Sequence, residues 1–208
     1  MGEGSGRSNL DYCISTFREK LCLQIKISIG GQVYINNARI EYGYYALVNC
    51  FANLDKKDDQ WSLATGYNPG ENCYIKYILL NAFYKPFIHR IDVTKDFKWA
   101  TLNPELILAY ETGITLNTKA VNKHPRMNDQ QYIAFHKMEG GGALFVCADS
   151  TLKILTYDKH KECILDERKI IMFSLGSKIE RCMNGSKKTH NIKFYGPCTI
   201  YIQTVPRK

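Results

Sequence analysis

The feature that most constrains this chain is a hydrophobic period of two that sets in at Leu21. Leu21, Leu23, Ile25, Ile27 and Ile29 alternate with Cys22, Gln24, Lys26 and Ser28. Successive side chains of a strand point to opposite faces, so this spacing predicts a half-buried β-strand with one face inward. Gly30-Gly31 then reads as a hairpin turn into residues 32–36. Further strand candidates cover residues 38–52, 73–80, 86–93, 106–110, 132–136, 143–148, 151–157, 169–175, 191–195 and 199–204, each rich in Ile, Val, Tyr, Phe or Thr. Turn signals separate them: Asn68-Pro69-Gly70, Gly140-Gly141-Gly142, Asn184-Gly185 and Gly196-Pro197. Many short strands at this spacing predict an all-β fold, a multi-stranded antiparallel sandwich or barrel-like body. A Gly/Ser-rich start over residues 1–7 reads as disordered, and residues 8–208 as a single β domain. The charged stretches 55–59 and 119–126 read as solvated loops.

One segment departs from the period of two. Leu10, Cys13, Ile14, Phe17 and Leu21 fall on one face of a helix, and Ser8 stands where an N-terminal cap would. This predicts a short N-terminal helix over residues 8–20 that packs on the body of the domain, with docking on a membrane surface as its alternative role.

Composition limits the function classes. At 208 residues and 45% apolar content the chain buries a core without covalent staples. The eight cysteines include no CxxC pair, so neither a thioredoxin-like redox motif nor a zinc knuckle is present. The first twenty residues lack the apolar stretch of a secretory signal, so the thiols are expected to be reduced and mostly buried in an intracellular compartment. No apolar run approaches the roughly 20 residues that a membrane-spanning helix requires.

The motifs that carry chemistry are sparse. None of the five histidines forms HxxxH or HExxH, and no GxSxG is present. His160, Glu162 and Cys163 form the one local group with metal-ligand chemistry, and a surface turn is the reading favoured over a metal site. His89-Arg90-Ile91-Asp92 places a histidine and a carboxylate close in sequence. Gly140-Gly141-Gly142 leads into the apolar run Ala143-Leu144-Phe145-Val146 and not into a helix, so it is a tight turn and not a phosphate cradle. No cofactor is implied. Lysine and arginine exceed acids by 28 to 20, a net charge of +8. Part of that excess gathers near the C-terminus around Tyr195. Lys187, Lys188, Lys193 and Arg207 are therefore candidate polyanion-binding residues, since basic side chains interleaved with aromatics hold phosphates and stack bases.

From residue 86 to 205 the chain resembles the altered inheritance of mitochondria protein 24 family. The residues that carry the resemblance are Leu106 to Thr112 followed by Gly113, the step Gly140-Gly141-Gly142-Ala143-Leu144-Phe145, Lys161-Glu162-Cys163-Ile164-Leu165-Asp166 with Lys161 in place of a glycine, and Ile170 to Phe173. The most specific is the closing run Gly196-Pro197-Cys198-Thr199-Ile200-Tyr201-Ile202-Gln203-Thr204. Cys198 stands where the family has glycine, so a positive φ there would be strained. Asp149-Ser150 stands where the family often has a glycine turn. The resemblance implies a β fold related to the tryptophan RNA-binding attenuation protein, prone to form rings or trimers. It implies no catalytic residues, and in mitochondria a role in organising the inner membrane.

Together these features predict a non-enzymatic, homo-oligomeric β scaffold or adaptor, with the mitochondrion suggested by the resemblance and the cytoplasm as the alternative. Its partners would be copies of itself and other proteins, and nucleic acid or an anionic membrane surface more weakly. The rival functions are an RNA or polyanion binder acting through the C-terminal basic residues, and an enzyme whose site is assembled from residues distant in sequence.

Overall fold

The structure, a computed structural model, describes residues 10–17, 19–27, 30–40, 52–66, 77–82, 85–121, 133–185 and 187–204. Its strands are β1 (Leu10–Phe17), β2 (Lys20–Ile27), β3 (Gln32–Asn36), β4 (Ala52–Lys56), β5 (Trp61–Gly66), β6 (Tyr77–Asn81), β7 (Phe87–Val93), β8 (Trp99–Thr101) and β9 (Ile107–Glu111). They continue as β10 (Ile114–Val121), β11 (Ala134–Gly140), β12 (Gly142–Ala148), β13 (Leu152–Tyr157), β14 (Glu162–Asp166), β15 (Ile170–Ser174), β16 (Lys178–Asn184), β17 (Lys187–Tyr195) and β18 (Cys198–Gln203). The fold is all-β and antiparallel, as the hydrophobic period requires. The helical pieces among the described residues are three-residue 3-10 turns at Asn37–Arg39, Pro104–Leu106 and Glu167–Lys169.

The chain divides into two compact units. The first comprises Met1–Asp92, Ile107–Thr112 and Gly142–Cys147; the second comprises Val93–Leu106, Gly113–Gly141 and Ala148–Lys208. Each is built on one three-stranded and one six-stranded sheet. In the first unit the strand orders are β1-β2-β6 and β4-β5-β3-β9-β12-β7. In the second they are β14-β17-β16 and β10-β11-β8-β15-β18-β13.

Burial follows the sequence pattern. On β2, Leu23, Ile25 and Ile27 are buried, as the alternation demands, and Cys22 on the opposite face is buried as well. The uninterrupted apolar runs at 143–148 and 170–173 are buried throughout, because β12 and β15 are interior strands of their sheets. In the second unit Phe135, Phe173 and Phe194 pack edge to face in series, with centroid separations of 6.0 and 5.4 Å. Ile170, Ile179, Ile192, Ile200 and Ile202 complete that core.

Two local expectations are corrected. The segment read as a helix over residues 8–20 is strand β1, paired residue for residue with β2 from Leu10↔Ile27 to Phe17↔Lys20. Tyr12, Ile14 and Thr16 satisfy a period of two as well as the neighbouring residues satisfy 3.6, and an eight-residue ladder against β2 outweighs a marginal isolated helix. Glu19 makes the turn at φ 63°. Ser8 and the start at 1–7 lie outside the described residues. The other correction concerns Gly30-Gly31, which does not close a hairpin: β2 and β3 belong to different sheets. The pair instead bonds to the end of β5, Gly30 N–H to Gly66 O at 3.0 Å and Gly66 N–H to Gly31 O at 2.9 Å.

Other strands were hidden in segments read as loops or left unassigned. Asp55 and Lys56 end β4, while Asp58 closes the following turn by accepting from the backbone N–H of Gln60 and Trp61 at 2.8 and 2.7 Å. Residues 119–121 belong to β10, whereas 122–126 lie outside the described residues, as does most of 38–52. β5, β8, β14 and β16 were likewise not anticipated. Cys198 is the buried first residue of β18 and its φ is not positive, so the strain expected there is absent.

A repeated polar turn organises both units. Asn36 and Asp166 each precede a 3-10 turn, and each accepts from the backbone N–H two residues ahead. Each turn ends at an isoleucine, Ile40 or Ile170, in extended conformation. Asn36 also donates to Ile107 O at 3.1 Å at the start of β9. Asn103, before the third such turn, donates to both Glu167 O and Ile170 O at 2.9 Å.

Glycine is required where β10 and β11 meet. Gly141 N–H donates to Gly113 O at 3.0 Å, and a Cβ on Gly113 would overlap the carbonyl of Gly141. Gly113→Ala should therefore cost about 1–3 kcal/mol, read as a lower midpoint in urea unfolding. Tyr110 offers the opposite case. Its ring stacks on Tyr34 at 5.0 Å and meets Trp61 edge-on at 4.9 Å, but its buried hydroxyl has no hydrogen-bond partner among the described residues. Burial, then the neighbouring Tyr34 and Asp58, push this phenol above its ordinary range. Tyr110→Phe should raise stability by about 1 kcal/mol, since it removes an unsatisfied polar atom and keeps the ring; a lower melting temperature would contradict this.

Candidate functional site

The candidate polyanion residues fall on the sheet β14-β17-β16. Lys187 is exposed where β17 begins, opposite Asn184. Lys188 is the next residue of β17 and pairs through its backbone with Met183. Lys193 lies six residues along from Lys187, about 20 Å at strand spacing, so the two do not converge. Arg207 lies outside the described residues. Lys193 is moreover engaged: its ammonium sits 2.8 Å from a Glu162 carboxylate oxygen and 4.9 Å from the centre of the Tyr195 ring. The Lys178 ammonium also lies over that ring, at 4.4 Å, and pairs with Glu180 at 3.2 Å. The Tyr195 hydroxyl donates to Glu180 at 2.7 Å. Register places Glu162, Lys178, Glu180, Lys193 and Tyr195 on one face, where charges of both signs alternate. This face is laced internally and close to neutral.

Sequence reasoning missed the most connected charged cluster, on the Glu167–Lys169 turn. Glu167 accepts from Arg181 at 2.6 Å through one oxygen and meets His190 Nδ1 at 2.8 Å through the other. Arg181, 14% exposed at its side chain, also donates to Thr189 O at 2.8 Å. The signal was the Asx-led turn Asp166-Glu167-Arg168-Lys169-Ile170, which parallels Asn36-Asn37-Ala38-Arg39-Ile40. Every member of this cluster is committed to another, so it braces β16 and β17 against the turn.

The remaining chemical candidates are also engaged or quiet. Arg90 takes Asp92 at 2.7 Å, two residues along the strand, and His89 stacks on Phe87 with centroids 5.9 Å apart. His160 is an exposed turn residue at φ 76°. No group of three or more metal-ligating side chains is assembled among the described residues. None of the six described cysteines is in a disulfide; Cys22, Cys147 and Cys198 are buried, and Cys13 is exposed. Burial raises the Cys163 thiol despite a hydrogen bond with Tyr157 that works the other way. Burial, then the charge of Cys163, raises Cys198. Both are therefore held as thiols and not as nucleophilic thiolates.

What the described surface does present is apolar side chains on outermost strands. Ile154 on β13 is 56% exposed and Ile164 on β14 is 59% exposed. Tyr12 and Ile14 on β1 are 38% and 46% exposed.

The Glu167 cluster sets a pH dependence. Burial pushes its carboxyl up, but hydrogen bonds from Arg181 and His190 and their charges outweigh it, and the net shift is downward. A carboxyl lowered on folding adds stability above its unfolded value and loses it as the pH falls through the folded one. Stability should thus fall on acidification below the ordinary carboxylate range. Glu167→Gln should flatten that slope and cost about 1–3 kcal/mol at neutral pH by leaving Arg181 underpaired; an unchanged acid limb in melts from pH 7 to 3 would refute the assignment.

No curated protein matches the chain. A solved structure that it is similar to is the crystal structure of protein SPYM3_0169 from Streptococcus pyogenes, with a TM-score of 0.63 and 14% sequence identity over 94% of each chain. At that identity the likeness is one of fold. The family model described as mitochondrial biogenesis AIM24 matches residues 62–205, which hold the Gly140-Gly141-Gly142 step, the Glu162–Asp166 strand and the closing Gly196 to Thr204 run. With more than half of its length matched, the chain belongs to the mitochondrial biogenesis AIM24 family.

Proposed function

We propose that the protein is a non-enzymatic β scaffold or adaptor that works as a homo-oligomer, in the mitochondrial biogenesis role that its family suggests. The observation that carries this reading is the set of exposed apolar residues on outermost strands, Tyr12, Ile14, Ile154 and Ile164. Open strand edges template pairing with another chain, and natural sheets that stay monomeric guard them. The protonated thiols and the mutually engaged charged clusters support a binding role over a catalytic one. No helix among the described residues is long and apolar enough to cross a membrane. Static light scattering of the full chain over a concentration series should give a mass above that of one chain; a monomer at every concentration would overturn the reading.

A second reading is a polyanion or RNA binder using Lys187, Lys188, Lys193 and Arg207. The exposed Lys187 and the net charge of +8 favour it, and the Glu162–Lys193 ion pair weighs against it. It predicts retention on heparin that falls steeply between 50 and 200 mM salt. Passage through heparin unretained at low salt would remove it.

A further inference from the structure

β1 lies at the edge of its sheet as the described residues define it. β1 is the outermost strand of β1-β2-β6, and among the described residues only β2 pairs with it. Its apolar face continues that of β2: Tyr12 lies opposite Ile25 and Ile14 opposite Leu23, both of them buried. Tyr12 meets Phe145 edge-on at 4.9 Å and lies under the Arg90 guanidinium at 5.4 Å. The hydrophobic face thus runs out to β1 and stops there half covered.

Other outermost strands carry guards that discourage pairing. β4 has Asp55 and Lys56, β7 has Arg90 and Asp92, β10 has Lys119, β13 has Lys153 beside its exposed Ile154, β14 has Glu162 and Asp166, and β16 has Lys178, Glu180 and Arg181. The edge of β6 is bridged at Leu80 by Ile40. From Leu10 to Phe17 there is no proline and no lysine, and the single charge is Asp11.

The segment is also complementary to itself. In a two-fold antiparallel pair, facing residues must point to the same side of the sheet, so the axis falls on a residue and not between two. An axis at Cys13 sets Tyr12 against Ile14 of a second copy, Asp11 against Ser15 and Leu10 against Thr16. Aromatic and β-branched pairs of this kind stabilise sheets, and no like charges face each other. Cys13, exposed, would face its own equivalent.

We propose that β1 is the homodimer surface of this protein. It pairs antiparallel with β1 of a second copy about a two-fold at Cys13, joining the two β1-β2-β6 sheets into one. This rests on the oligomeric reading above and names the surface responsible.

The test uses the full chain and two measurements. Light scattering is run on the wild type, on Ile14→Lys and on Ile164→Lys, with circular dichroism and a melt to confirm folding; both isoleucines are largely exposed, so neither change opens the core. Independently, a short bis-maleimide is applied to the wild type and to Cys13→Ser, with products read on a denaturing gel. The expected result is a mass halved by Ile14→Lys and unchanged by Ile164→Lys, with a crosslinked dimer that disappears in Cys13→Ser. An oligomeric wild type whose mass survives Ile14→Lys, or whose crosslink survives Cys13→Ser, overturns the β1 assignment and leaves the oligomeric reading standing. A monomeric wild type overturns both.

Discussion

Buried amide groups that must find partners across long stretches of chain hold this architecture together. Asn36 is 2% exposed, and its side-chain amide reaches Ile107 O, 71 residues later, while its carbonyl oxygen takes the N–H of Ala38. Asn103 does the equivalent for Ile170 and Glu167. Near the end of the chain Gln203, also 2% exposed, takes the N–H of Asp149 at 2.7 Å and donates to Arg168 O at 2.8 Å. Thr204 donates to Ser150 at 3.0 Å. A buried amide left unpaired costs about 1–3 kcal/mol, so each bond strongly fixes where a strand may start. The closing Gln-Thr of the family signature thus has a structural task in this chain, to pin the 149–150 turn and the Glu167–Lys169 turn to the last strand.

Much of the fold was legible where the sequence speaks in a single period. The alternation over β2, the apolar runs of β12 and β15 and the closing strand β18 each have one solution. Legibility failed at Leu10 to Leu21, where apolar spacing fits both a helix and a strand. The decision there belongs to a partner strand and not to local preference. It failed again at Gly30-Gly31, where a turn signal was right but its partner was not the next strand. The strands β14 and β16 were opaque for a third reason: their outer faces carry Glu162, Asp166, Lys178 and Glu180, so their composition resembles loops.

The same polar faces explain why the candidate site was only partly legible. A net charge of +8 and a run of lysines near Tyr195 suggest a basic surface. Register decides otherwise for Lys193, because antiparallel pairing sets Glu162 and Glu180 beside it. Linear sequence does not reveal which acid will lie across a ladder. Exposed pairs of this kind contribute little to stability, so their principal effect is on the surface potential.

The chain passes from one compact unit to the other five times before its end. In the first unit β7 is an edge strand whose neighbour is β12, made only after the 48 residues between Val93 and Gly142. At ribosomal rates of about 5–20 residues per second, β7 waits roughly 2 to 10 seconds for its partner. During that interval its edge is open to other nascent chains. The order of synthesis therefore leaves the first unit without β12 until the chain has grown past Gly142, so neither unit is complete before most of the sequence has emerged.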